Sequence, residues 1–195
     1  MDNFLLWFLI PFLTILIPGH TNWFTSNFSV VGSEFPQNIF LLLWAMTIAR
    51  FYHSFTKRTI GQANSFLKTE NELAMTDLSA CLLVGSVLLP YQPDLFPFLS
   101  MLHLIMAFSS TVVFYTTLTI INVKFYVFAP DLFAGPLLLL LSASVCSMFL
   151  LILCNFLISS ALEIFLTLFS CIWLQIFDHR IQYLLKRRYL KSRMR

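Results

Sequence analysis

Residues 132–153 read LFAGPLLLLLSASVCSMFLLIL, an apolar run without one charged side chain. At about 1.5 Å per helical residue it is long enough for the roughly 30 Å hydrocarbon core of a bilayer. Apolar runs bounded by polar or turn residues also occupy 4–19, 38–55, 74–90, 97–121 and 159–177. The first and third are short for a crossing, which predicts local bilayer thinning or completion by flanking residues. Pro11 inside the first run predicts a kink and a freed carbonyl. The fold class predicted is all-α: a polytopic transmembrane helical bundle of six spans. Residues 1–195 form one integral membrane domain, ending in a basic juxtamembrane tail at 178–195.

Composition agrees. Of 195 residues, 58% are hydrophobic and 11% charged, against roughly 25% charged in a soluble domain. Mean hydropathy is +0.82. These values exclude a water-soluble domain, a disordered chain, a coiled coil and a disulfide scaffold. Cys81, Cys146, Cys154 and Cys171 lie in or beside apolar runs and never in a CxxC pair, so they read as small buried hydrophobes. Asp2, rather than basic residues, precedes the first run, and no secretory signal is expected. HxxxH, HExxH and glycine-rich phosphate loops are absent, so no metal, cofactor or nucleic-acid site is predicted.

Charge sorting supplies the orientation. With six spans, all 12 lysines and arginines fall on one side. Arg50, Lys57, Arg58 and Lys68 surround the second connection, Lys124 lies in the fourth, and seven occupy the tail from Arg180 to Arg195. The connections at 20–37, 91–96 and 154–158 carry none. Positive charge stays cytoplasmic during insertion, so both termini are predicted cytoplasmic. Five or seven spans would break this sorting. Residues 56–73 read as a cytoplasmic connector with one helical turn.

Ionisable groups at membrane depth are costly and therefore mark candidate sites. On the outer side these are His20, Glu34, Asp94, His103 and Glu163, a candidate ligand-binding set. His103 lies roughly 9 Å down the fourth span from Pro97. No lysine or arginine faces these acids, which makes His103 and Glu163 the expected pair. The set reads either as a cluster tying the first outer loop to the helix tops or as a mouth for a polar headgroup or cation. In that loop Trp23, Phe24, Phe28 and Phe35 read as interfacial anchors, and Asn27-Phe28-Ser29 matches a glycosylation acceptor. On the inner side, Arg50 and Asp77 are expected to form a structural ion pair. Arg180, Lys186, Arg187, Arg188 and Lys191 are expected to contact anionic lipid, with Ile181, Leu184, Leu185 and Tyr189 at helical spacing. Small and hydroxyl residues recur at Ser109, Ser110, Thr111, Ser142, Ala143, Ser144 and Ser147, a pattern that lets helices approach.

The layout resembles the FRAG/DRAM/Sfk-like group of small six-span membrane proteins. The shared features are Ser33-Glu34-Phe35-Pro36 before the second span, a charged second connection, His103 followed by Ala107 and Ser109-Ser110, and Glu163 in the last span. That group usually carries Ser-Asp where Ser33-Glu34 stands here. The resemblance implies a role in lipid distribution, lipid-anchor remodelling or regulation within membranes. The function expected is thus a non-enzymatic membrane protein that binds or senses lipid, or modulates a partner, through the outer mouth. A membrane-protein partner and a second copy of the chain are further candidate partners. The alternatives are a small-solute transporter or transport subunit, although the first run lacks an AxxxA docking face, and a lipid-directed intramembrane hydrolase with His103 as base.

Overall fold

The computed structural model describes the backbone of residues 4–63 and 67–193, and their side chains except at 63 and 188–193. Every element among the described residues is helical. We number them α1 (Leu5–Leu16), α2 (Phe28–Val31), α3 (Gln37–Ala63), α4 (Glu70–Leu88), α5 (Pro97–Phe128), α6 (Pro130–Leu153) and α7 (Ser160–Arg193). Among the described residues, five helices (α3 to α7) are long and apolar enough to cross a membrane, and α1 is a shorter apolar helix. The exterior is correspondingly oily: Phe8, Ile105, Val127, Val145 and Phe149 are all more than half exposed. In water such a surface would aggregate; facing lipid it is ordinary. The chain has the architecture of a multi-pass membrane protein.

The disturbance predicted at Pro11 takes the form of a widened turn. Leu5–Leu9 is π-helical, and the Ile10 N–H reaches back to Leu5 O. Pro11 has no N–H for the carbonyl four residues back and its ring crowds that turn, so the wider turn makes room. Below it, Thr14 Oγ1 accepts from Trp44 Nε1 at 2.9 Å, fastening α1 to α3.

Two connections are much shorter than the sequence reading put them. The fourth shrinks to Ala129, whose extended backbone (φ −148°, ψ 75°) is what a following proline imposes. The second loses residues 56–63 to α3. There the apolar run ends at Phe55, but Phe55, Thr56, Thr59 and Ile60 remain buried at a helical period, so amphipathic helix replaces loop. The tail likewise continues α7, and Ile181 and Leu184 are buried in the core. Ser65 and the terminal residues 1–3 lie outside the described residues.

An aromatic stack fills the centre. Trp173 lies parallel to Phe177 at 4.8 Å, and Phe133 meets both Phe177 (5.2 Å) and Phe125 (4.9 Å). Trp173 Nε1 donates to Pro136 O at 2.9 Å, satisfying the indole's only polar atom. Hydroxyl pairs fasten the remaining helices. Ser79 Oγ and Ser110 Oγ each donate to the other's backbone carbonyl, at 2.9 and 2.8 Å, and Tyr52 OH bonds Ser170 Oγ. Ser110 therefore brings α4 and α5 together as its small size suggests, whereas Ser142 and Ser144 bond their own helix and stay exposed. Cys154 and Cys171 are buried, but Cys81 and Cys146 are exposed, which corrects the uniform reading of the four.

The predicted Arg50–Asp77 pair is replaced by another. Asp77 Oδ1 sits 2.5 Å from His53 Nδ1, and Arg50 is exposed. Arg50 lies three residues back, about 4.5 Å along the axis, so the antiparallel neighbour of Asp77 is His53. Nearer the same end, Lys124 Nζ reaches Glu72 Oε1 at 2.5 Å and Lys68 O at 2.9 Å, and Thr59 Oγ1 donates to Asp178 Oδ1 at 2.8 Å. Arg187 pairs with Asp131 at 3.1 Å. Of the other predicted lipid contacts, Arg180 and Lys186 are exposed, while the side chains of Arg188 and Lys191 lie outside the described set.

Candidate functional site

At the opposite end of the bundle, the segment between α1 and α3 folds down onto the starts of α5 and α7. Ser160 N–H donates to Ser26 O (2.7 Å) and Ala161 N–H to Trp23 O (2.9 Å). Asn27 Oδ1 accepts from Val30 N–H at 2.8 Å, capping the single turn of α2. That turn is then held from both sides. Glu163 Oε2, on α7, accepts the Phe28 N–H at 2.7 Å. His103 Nε2, on α5, lies 2.7 Å from Ser29 Oγ.

The imidazole is fixed at its other nitrogen. His103 Nδ1 lies 3.1 Å from Leu89 O. Pro90 forces Leu89 out of the helix (φ −89°, ψ 133°), so that carbonyl leaves the α4 ladder and turns to the ring. A carbonyl only accepts, so Nδ1 carries the hydrogen, and in the neutral ring Nε2 accepts from the Ser29 hydroxyl. Tyr91 packs over the imidazole at 5.4 Å between centroids. His103 is 3% exposed. Ser100 Oγ accepts the Gln92 N–H at 2.9 Å and keeps the 89–96 connection against α5.

These groups line a cavity of about 280 Å³ whose polar wall is Ser29, Ser33, Asn38, Tyr91, Gln92 and His103. Leu41, Val87 and Leu88 form its apolar side, and among the described residues no lysine, arginine, aspartate or glutamate lines it. Such a wall offers hydroxyls, amides and one imidazole, which suits an uncharged hydrogen-bonding group with an apolar neighbour. Gly32 sits in the wall because nothing larger fits there: a Cβ would lie 2.4 Å from Leu41 Cδ2 and 2.7 Å from Phe28 O.

Of the five predicted ligand-binding residues, the structure brings two to α2. His103 and Glu163 grip its adjacent residues Ser29 and Phe28 rather than each other, correcting the expected pair. His20, Glu34 and Asp94 are exposed and outside the cavity wall. Phe28, read as an interfacial anchor, is 2% exposed and packs edge-on against Trp44 at 5.3 Å, while Trp23, Phe24 and Phe35 are exposed. The acceptor motif's Asn27 and Ser29 both have partners inside the fold. The Ser29 and Leu89 contacts were missed; Pro90, a residue that withdraws the preceding carbonyl from its helix, was the signal for the second. Among the described residues no three of His, Cys, Asp and Glu converge to hold a metal. No family model matches this chain, and no curated protein or solved structure matches it.

Proposed function

We propose that the chain crosses the membrane six times with both termini cytoplasmic, and that the His103 cavity receives the polar headgroup of a lipid from the outer leaflet without turning it over. For the sixth crossing, α1 supports the reading: Thr14 meets Trp44 near one end of α3, and Trp7 lies beside Gln175 and His179 near the other end of the bundle. The observation that carries the headgroup site is an uncharged, hydrogen-bonding cavity capping an apolar bundle. A hydroxyl-bearing headgroup satisfies Asn38, Gln92 and Ser33, and its chains run along the oily exterior. The resemblance to proteins concerned with lipid distribution points the same way.

Lipid extracted from gently purified protein and weighed by mass spectrometry tests this. One lipid class should be enriched over the bulk membrane, and His103→Ala or Asn38→Ala should cut that enrichment about tenfold, the loss of one or two hydrogen bonds. An unenriched lipid complement in the wild-type protein refutes the site.

The Ser29–His103 contact favours a second reading, ester hydrolysis. Ser29 Oγ would attack an ester carbonyl while Nε2 takes its proton and passes it to the departing alcohol; water would then release the fatty acid. Release of fatty acid from a labelled phospholipid, abolished in Ser29→Ala, would establish it over simple binding.

A further inference from the structure

A second cavity, of about 540 Å³, lies at the other end of the bundle, between α1 and α7. Its floor is one face of α7: Ile172, Gln175, Ile176, His179, Arg180 and Tyr183 recur at a helical period. Chemistry changes along that face, from Ile172 and Ile176, with the Gln175 amide between them, to imidazole, guanidinium and phenol. Trp7 of α1 forms the facing wall and is 53% exposed. Arg180 is 17 residues past Glu163, roughly 25 Å along the axis, so the two mark opposite edges of a hydrocarbon core. Trp7 and Tyr183 are the residue types that settle at such an edge.

Among the described residues the charge balance is one-sided, and no acid lines this groove. The neighbouring Asp178 accepts from Thr59 on α3, and Asp131 takes Arg187. Arg180 therefore stands exposed at the rim of an apolar slot, beside His179. A planar guanidinium suits a phosphate that it grips with two parallel hydrogen bonds, and the slot beneath suits a hydrocarbon chain.

We propose that this groove is a binding site for one anionic phospholipid of the leaflet at the Arg180 end. Its phosphate sits on Arg180 with His179 and Tyr183 in hydrogen-bonding reach, and one acyl chain lies along Ile172, Ile176 and Trp7. This site rests on the membrane-spanning reading of the chain and not on the His103 cavity.

Native mass spectrometry of the full chain, delipidated in detergent and titrated with phosphatidylglycerol or phosphatidylcholine, tests the assignment. One phosphatidylglycerol should bind in preference to phosphatidylcholine. Arg180→Gln should weaken it about tenfold, the scale of one charge-assisted contact. Arg187→Gln, on the same helix but paired with Asp131, should leave that affinity within about twofold, as for a charge already partnered. Trp7→Ala should weaken both lipids together, because it removes chain contact and no charge. Equal loss in Arg180→Gln and Arg187→Gln would reduce the site to diffuse attraction by a basic helix, and no preference for phosphatidylglycerol would overturn it. His103→Ala should leave this affinity unchanged, which separates failure here from failure of the other cavity.

Discussion

Single atoms decide much of this fold. The Cβ that Gly32 lacks would press on Leu41 Cδ2 and on the Phe28 carbonyl, and a backbone oxygen cannot swing away. Gly32→Ala should therefore lower stability by about 1–3 kcal/mol, the range for overpacking. Gly85 supplies the internal control. Its Cβ would meet Met106 Cε at 2.5 Å, the far end of a flexible chain, so Gly85→Ala should lower the melting temperature in detergent much less. Equal melting shifts would show that the α2 turn has room to move. A second residue-scale case is Glu72, 4% exposed, which neutralises Lys124. Lys124→Met should cost about 3–5 kcal/mol, because it strands a buried carboxylate. Adding Glu72→Gln should recover most of the loss; thermal unfolding of the two variants measures that recovery.

At the scale of elements, interiors were readable and ends were not. The five long helices follow from long, predominantly apolar runs, since a backbone in lipid has to satisfy its own hydrogen bonds. The ends depend on partners that no run reveals. α3 outlasts its apolar run because Thr56, Thr59 and Ile60 stay buried, and α7 absorbs the basic tail because Ile181 and Leu184 do. In the outer set, His103 was legible as a buried polar group on a helix, but its bond to Ser29 came from a loop folding back, which spacing does not encode. The α6–α7 connection holds a testable strain. Asn155 and Phe156 both adopt left-handed backbone (φ 53° and 63°), where the Phe156 N–H closes the helix end on Leu151 O at 2.8 Å. Phe156 is 70% exposed, so Phe156→Gly gives up little packing. It should raise stability by about 0.5–1 kcal/mol in thermal unfolding, the relief of a bulky side chain from that region.

At the scale of the whole molecule, the described connections gather at two ends. Connections 17–36, 89–96 and 154–159 meet around α2, through the Ser26–Ser160 and His103–Leu89 contacts. The α3–α4 and α5–α6 connections gather with the end of α7 through Lys124–Lys68 and Arg187–Asp131. Such alternation requires each intervening helix to run the depth of the bundle, and α1 is the short one among them. At about 1.5 Å per residue, Leu5–Leu16 covers roughly 18 Å, so it crosses only with a thinned bilayer or with its neighbours' help. Accessibility decides it. In a chain whose cysteines are replaced, a cysteine at His20 or Asp94 should react with an impermeant maleimide on intact cells. One at exposed Lys68 should react only after permeabilisation. An epitope tag ahead of Met1 should behave like Lys68, because six crossings put it across the membrane from His20. A tag reached without permeabilisation, together with a reactive His20, would leave α1 lying in one leaflet and the bundle with five crossings.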